Sequence, residues 1–116
     1  MKTKVLYIDD QQENLNIFRI GFKRVLDVKV TTSADEALKI LKDNSIDVLV
    51  ADHRMPDITG IELLAQVGED YPSIKRIIIS EYINDVVIRE AIKKYGFDGC
   101  MSKPWNSEEF LKMIQG

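Results

Sequence analysis

Ile46-Asp47-Val48-Leu49-Val50-Ala51-Asp52-His53-Arg54-Met55-Pro56 is the stretch that decides the fold. Its apolar, β-branched-rich run is long enough for a buried strand and too short for a helix; it ends on a carboxylate and passes at once into a proline-bearing loop. Asp52 therefore stands at the carboxyl end of a strand, the edge at which open α/β sheets bind ligands. Taken singly, such an aspartate is as well explained as the cap of a turn, so the decision rests on its neighbours.

Working outward, the chain alternates short apolar runs with amphipathic ones. After the Pro56 loop, Thr59 and Glu62 have capping-box spacing, and Ile61, Leu64 and Val67 line a helix that Gly68 is expected to stop. Ile77-Ile78-Ile79 reads as a strand ending at Ser80. Val86, Val87 and Ala91 suggest a fourth helix, stopped by Gly96, and Phe97 to Met101 a weaker fifth strand ending at Lys103-Pro104. Asn106 and Glu109 open a last helix carrying Phe110, Leu111 and Ile114. Upstream, Val5-Leu6-Tyr7-Ile8 is a first strand halted by Asp9-Asp10. Leu15, Phe18, Phe22 and Val25 recur at helical spacing, Val28-Lys29-Val30 is a brief second strand, and Ser33 with Glu36 caps a helix whose inward face is Ala37, Leu38 and Leu41. Five βα units in strict alternation imply a parallel sheet covered by helices on both faces, a small doubly wound α/β domain.

Composition narrows the function. The 116 residues suffice for one domain over 1–116 and one core, with 45% hydrophobic residues; the short last helix also fits a domain cut from a longer protein. Sixteen basic and 19 acidic residues are mixed along the chain, net charge -3, without the basic stripe that direct nucleic-acid binding needs. The lone Cys100 excludes an internal disulfide and reads as a small packed hydrophobe. No apolar run nears the roughly 20 residues of a membrane span, and the amino terminus lacks a signal-peptide pattern. A cytoplasmic setting fits.

The chemistry follows from the residues at strand ends. Asp9 and Asp10 follow the first strand, Asp52 the third, Ser80 the fourth and Lys103 the fifth. If the first and third strands are neighbours, three carboxylates converge and repel one another without a cation. An all-oxygen set with room for water suits Mg²⁺ rather than zinc, for which the chain has one histidine and one cysteine. Carboxylate, hard cation, ammonium and hydroxyl together are what phosphoryl transfer requires. Singly, Asp9 and Asp10 would serve as helix caps and Lys103 as a surface lysine; their joint placement is what carries the reading. His53, beside Asp52 but without an identifiable partner, is left out of the site.

On these residues the chain resembles the response-regulator receiver domains of two-component signalling. The resemblance spans nearly the whole chain and rests on Asp9-Asp10, on Asp52 with Met55-Pro56 and Gly60, on Ser80, and on Lys103-Pro104, in that order. It implies the flavodoxin-like strand order 2-1-3-4-5 and a phosphoacceptor role for Asp52. Mg²⁺ would be held by Asp9, Asp10, Asp52 and the Arg54 carbonyl; Ser80 and Lys103 would contact the phosphoryl group, and the Lys103-Pro104 peptide would be cis. The chain would then be a phosphoacceptor rather than an enzyme, assisting its own phosphorylation and dephosphorylation. Its partners would be a sensor histidine kinase or phosphotransfer protein and a downstream effector, and a dimer could form through the fourth helix, fifth strand and fifth helix.

Two positions depart from the family pattern. Glu81 stands where a small residue usually follows Ser80, and Cys100 replaces the Tyr or Phe that swings inward on activation. Tyr82 and Trp105 are the alternative carriers of a conformational change, Trp105 being equally well explained as core packing. A receiver-like module acting by protein contact alone would account for Glu81 and Cys100. A dehalogenase-type phosphohydrolase would place an Asp where Arg54 stands, and a flavodoxin-like cofactor site would need a Gly, Ser or Thr-rich loop where Asp9-Asp10-Gln11-Gln12 would repel phosphate.

Overall fold

The run that ends on Asp52 forms the central strand of the sheet, with all five of its residues buried. In this computed structural model, which describes residues 2–55 and 57–116, the strands are β1 (Lys4–Ile8), β2 (Asp27–Thr31), β3 (Val48–Asp52), β4 (Lys75–Ser80) and β5 (Gly99–Ser102). The helices between and after them are α1 (Gln12–Phe22), α2 (Ala34–Asp43), α3 (Gly60–Asp70), α4 (Val86–Tyr95) and α5 (Ser107–Gln115). Pro56, part of the loop signature after Asp52, lies outside the described residues, as does Met1. All pairings are parallel and the order is β2-β1-β3-β4-β5, as expected.

Strand alternation divides the core in two, because successive side chains point to opposite faces. Leu6, Ile8, Leu49, Ala51 and Ile78 pack with α2, α3 and α4 on one face. Val5, Tyr7, Val48, Val50, Ile77 and Ile79 pack with α1 and α5 on the other. The register pairs Ile8 with Ala51, so the next residue of each strand, Asp9 and Asp52, emerges at the same edge.

The polar residues read as helix starts act as such. The Ser33 side chain accepts from the Glu36 N–H, Thr59 and Glu62 close a reciprocal capping box, and Asn106 accepts from the Glu109 N–H. Such caps are each worth about 1 kcal/mol. Gly60, the first residue of α3, lies so close to the Asp52 carbonyl that any Cβ there would overlap it; the glycine lets α3 start directly under the end of β3.

The structure corrects or refines the sequence reading at four points. α1 ends at Phe22, and Val25 lies in the following turn, 45% exposed, while Leu26 closes the core. In α4 the inward residues are Ile88 and Ala91, with Ile92 beside them, at i, i+3 and i+4; Val86 and Val87 are 65% and 57% exposed. Phe97 is buried but precedes β5. Gly68 does not stop α3, which continues to Asp70. It instead makes room for Arg76, whose guanidinium would collide with any side chain there.

Arg76 is the polar tie between α3 and α4. Its Nη1 donates to the Leu64 carbonyl in the middle of α3 at 3.0 Å, and its Nη2 to the carbonyl of Tyr95, the last residue of α4, at 2.8 Å. The same group lies 5.3 Å from the centroid of the Phe97 ring. Hydrogen bonds from a charged donor are worth about 1.5–3 kcal/mol each, so Arg76→Met is expected to lower unfolding stability by about 2–3 kcal/mol in urea titration; an unchanged midpoint would show that water replaces the guanidinium without loss.

Candidate functional site

Four segments, those that follow β1, β3, β4 and β5, meet at the carboxyl edge of the sheet, and two of the carboxylates they carry share one ammonium group. Lys103 Nζ lies 2.9 Å from Asp9 Oδ2 and 3.0 Å from Asp52 Oδ1, the two ion pairs found among the described residues. Asp9 is fully buried, Asp52 is 6% exposed, and Asp10 beside them faces solvent. Each of the three carboxylates offers an oxygen, and these oxygens lie within 4.8 Å of one another. The convergence follows from the register, which sets Asp9 beside Asp52, and from the loop after β5, which returns Lys103 over both. That loop is held by the Lys103 N–H donating to the Ser80 carbonyl at 3.2 Å and contains the cis Lys103–Pro104 peptide.

Asp9 is the most heavily bonded residue of the cluster. Its Oδ2 accepts from the Tyr7 hydroxyl at 2.6 Å and from Asn14 Nδ2 at 3.1 Å besides Lys103, and its Oδ1 accepts from the Gln11 N–H at 3.0 Å. Burial works to raise the pKa of this carboxyl, but Tyr7, the Gln11 N–H and Lys103 outweigh it and hold it below the usual carboxylate value. Asp52 goes the other way. Burial pushes it up, Lys103 pulls it back, and the negative charges of Asp9 and Asp10 add to the rise, leaving it at about 6. Lys103, bonded to both carboxylates, is held above its ordinary value despite its own desolvation. The result is an electrostatically frustrated set: two buried acids and an exposed one around a single ammonium.

A small pocket of about 170 Å³ opens over Asp52, lined also by Asp10, Arg54, Ser80, Glu81 and Lys103. It is large enough for a phosphoryl group and a few waters. A larger concavity of about 690 Å³ adjoins it, sharing Gln11, Glu81 and Lys103 and running on to Tyr82 and Trp105, and another of about 490 Å³ lies among Lys2, Lys4, Arg19 and Lys23 at the opposite edge of the sheet; neither is lined by the three acids. Ser80 is buried, and its oxygen accepts from the Tyr82 N–H at 3.1 Å, leaving the hydroxyl hydrogen available to the pocket. Arg54 lies 5.5 Å from the centroid of the Tyr82 ring, so the loops after β3 and β4 meet across the pocket mouth. Exposed Glu81 stands at that mouth.

The six residues assigned to the site in the sequence, Asp9, Asp10, Asp52, Arg54, Ser80 and Lys103, lie at this edge, though not in equal positions. Asp9, Asp52 and Lys103 form the bonded centre, Asp10 completes the acidic cluster, and Ser80 and Arg54 line the wall. His53, left out of the site in the sequence, also lines the pocket; its Nδ1 is buried without a hydrogen-bond partner among the described residues, and burial lowers its pKa. Cys100 is a free thiol packed against the α2–α4 side of the core, as its size suggested. Sequence reasoning missed Tyr7, Gln11 and Asn14. Tyr7 was legible in principle, since it lies two residues before Asp9 on one strand and so on the same face.

The chain as a whole has counterparts among known proteins. A family model for the response regulator receiver domain matches residues 5–115. This chain belongs to the receiver domain family. A hydrogenase transcriptional regulatory protein, HoxA of Cupriavidus necator, is 32% identical over 111 residues, covering 96% of this chain and 23% of HoxA. The response regulator protein VraR of Staphylococcus saprophyticus is 28% identical over 122 residues, covering 99% of this chain and 56% of VraR. The receiver domain therefore spans about a quarter of the one and just over half of the other. Among solved structures, the chemotaxis protein CheY4 of Vibrio cholerae superposes with a TM-score of 0.91 over 99% of this chain and 98% of its own, at 24% identity, a likeness of fold. As a receiver domain the chain has a phosphoacceptor role in two-component signalling, the setting in which receiver domains meet histidine kinases and effector domains.

Proposed function

We propose that Asp52 is the phosphoacceptor and that the reaction depends on Mg²⁺. The observation that carries this reading is the bridging of Asp9 and Asp52 by Lys103 beneath a pocket open to a phosphodonor. An Asp52 carboxylate oxygen attacks phosphorus in line with the departing group; the bond from phosphorus to the donor nitrogen or oxygen breaks, its electron pair leaves with the donor, and an acyl phosphate remains on Asp52. Lys103 turns from the carboxylates to a phosphoryl oxygen, and the Ser80 hydroxyl donates to another. Three carboxylate oxygens within one cation's reach and no competing soft ligand fit a hard divalent ion. Asp9, Asp10, Asp52 and the Arg54 carbonyl would hold it, and when bound it neutralises the charge of the phosphoryl oxygens.

The phosphodonor would be a phosphohistidine on a kinase or phosphotransfer protein, and the phosphorylated form would act on an effector, with α4, β5 and α5 as a further contact or dimer face. On that face Val86 and Val87 are exposed. Residues 1–116 would make up one such domain, working in the cytoplasm; no helix among the described residues is long and apolar enough to cross a membrane. Incubation with acetyl phosphate should add one phosphoryl group to the intact mass with Mg²⁺ and none after EDTA. Equal labelling with and without the metal would defeat the proposal.

Glu81 should slow exchange of the phosphoryl group, because its carboxylate faces a pocket that must admit a dianion. Screening by solvent keeps the effect modest. Glu81→Ala is expected to speed labelling by acetyl phosphate about two- to tenfold, as followed by mass over time; equal rates would place the side chain away from the incoming group.

A further inference from the structure

Tyr7 is an aromatic residue with a job in the acidic site that its strand position does not require. Its side chain is fully buried, and its hydroxyl makes the shortest of the bonds to Asp9, 2.6 Å to Oδ2. Its ring stands at the head of an aromatic cluster: 4.7 Å between centroids to Phe18 of α1, and 6.1 Å edge-on to Trp105, which in turn lies 5.3 Å from Phe110 of α5. One residue therefore touches both the carboxylate that shares Lys103 and the packing of α1, α5 and the loop carrying Trp105. Cys100, by contrast, faces the opposite half of the core and is too small to fill the space an aromatic lever would vacate.

We infer that Tyr7 is a positioning residue that fixes Asp9 and couples the state of the acidic site to Trp105 and the α1/α5 face of the sheet. The inference rests on the proposed phosphoacceptor reading. Asp9 Oδ2 accepts from Tyr7, Asn14 and Lys103. When Lys103 turns to a phosphoryl oxygen, that oxygen loses its only cationic donor, and the bonds from Tyr7 and Asn14 must readjust. Of these two, Tyr7 is the donor whose ring lies inside the aromatic cluster, and a close-packed interior passes on a shift of a few tenths of an ångström rather than absorbing it.

Tyr7→Phe removes one oxygen and keeps the ring, so the core stays filled. The probe is beryllofluoride with Mg²⁺, with fluorine NMR measuring adduct in each protein and Trp105 emission, the chain's one tryptophan signal, recorded at saturation. In the unsubstituted protein the adduct shifts the emission; in Tyr7→Phe the shift at equal occupancy falls to about half or less. Amide exchange around Phe18 and Phe110 supplies a second readout, slowed by the adduct in the unsubstituted protein and not in the variant. Equal emission shifts and equal exchange in both proteins at equal occupancy would overturn the coupling. Absence of any adduct in the unsubstituted protein would instead remove the phosphoacceptor reading, and this inference with it.

Discussion

Asp52→Asn protein mixed with acetyl phosphate and Mg²⁺ gains no phosphoryl group under conditions that label the unsubstituted domain, a loss of on the order of a thousandfold or more in rate. The amide has no anionic oxygen to attack phosphorus, and no other acid can substitute: Asp9 is saturated by four donors and Asp10 lies in solvent. The same substitution should make the metal-free fold more stable at neutral pH. Asp52 in the folded chain titrates at about 6, above its ordinary 3.8. Its contribution to stability is therefore fully present below about pH 4 and lost as pH rises through about 6, so that by pH 7 the fold has given up about 3 kcal/mol. Asp9, held low, contributes with the opposite sign, stabilising above pH 4 and losing that contribution as acid protonates it. Urea titrations of metal-free protein should then show stability falling between pH 4 and 7, with most of the fall absent in Asp52→Asn and offset by Mg²⁺ in the unsubstituted protein. A flat profile in this window would mean that Asp52 is not strained by its neighbours.

Lys103→Met separates the two tasks given to the ammonium. Without it, buried Asp9 loses its cation and Asp52 faces two like charges, and breaking a buried pair by removing one partner typically costs about 3–5 kcal/mol. The destabilisation should be greatest at pH 7 without metal and smaller at pH 5, where Asp52 takes up a proton. Mg²⁺ should bind more tightly, by about tenfold or more, because no ammonium competes for the same oxygens. Phosphorylation should nonetheless slow by roughly a hundred- to a thousandfold, the usual effect of deleting one donor to a developing anion. Isothermal titration with Mg²⁺ and timed labelling measure the two effects independently. Unchanged Mg²⁺ affinity would show that Lys103 does not occupy the metal's place.

The opposite outcomes expected for metal binding and phosphoryl transfer trace back to features that differed in legibility. The five strands and the edge location of Asp9, Asp52, Ser80 and Lys103 could be read from apolar runs ending on polar residues, because strand period and strand ends are local properties of the chain; the order β2-β1-β3-β4-β5 is not local and came only with the resemblance to receiver domains. Helix faces were less legible. Val86, Val87 and Ala91 marked a helix without fixing its inward face; the first turn begins after the Asp85 cap and brings Ile88 and Ala91 inward, a choice set by packing rather than by hydrophobicity alone. Gly68 looked like a stop because its reason for being glycine, the guanidinium of Arg76, lies on another element. The Tyr7 hydroxyl was legible in part: its two-residue spacing puts it on the same face as Asp9, but in a strand its ring reads as core, and the folded geometry is what shows the oxygen reaching the carboxylate.

The central claim is that one carboxylate, Asp52, receives the phosphoryl group. Reduction of the acetyl phosphate-treated, Mg²⁺-loaded protein with borohydride converts an aspartyl phosphate to homoserine, and peptide mass mapping then locates it. The account predicts a single homoserine, at position 52, absent from samples treated with EDTA; homoserine at position 9 or 10, or an unreduced phosphoryl group on His53, would contradict it.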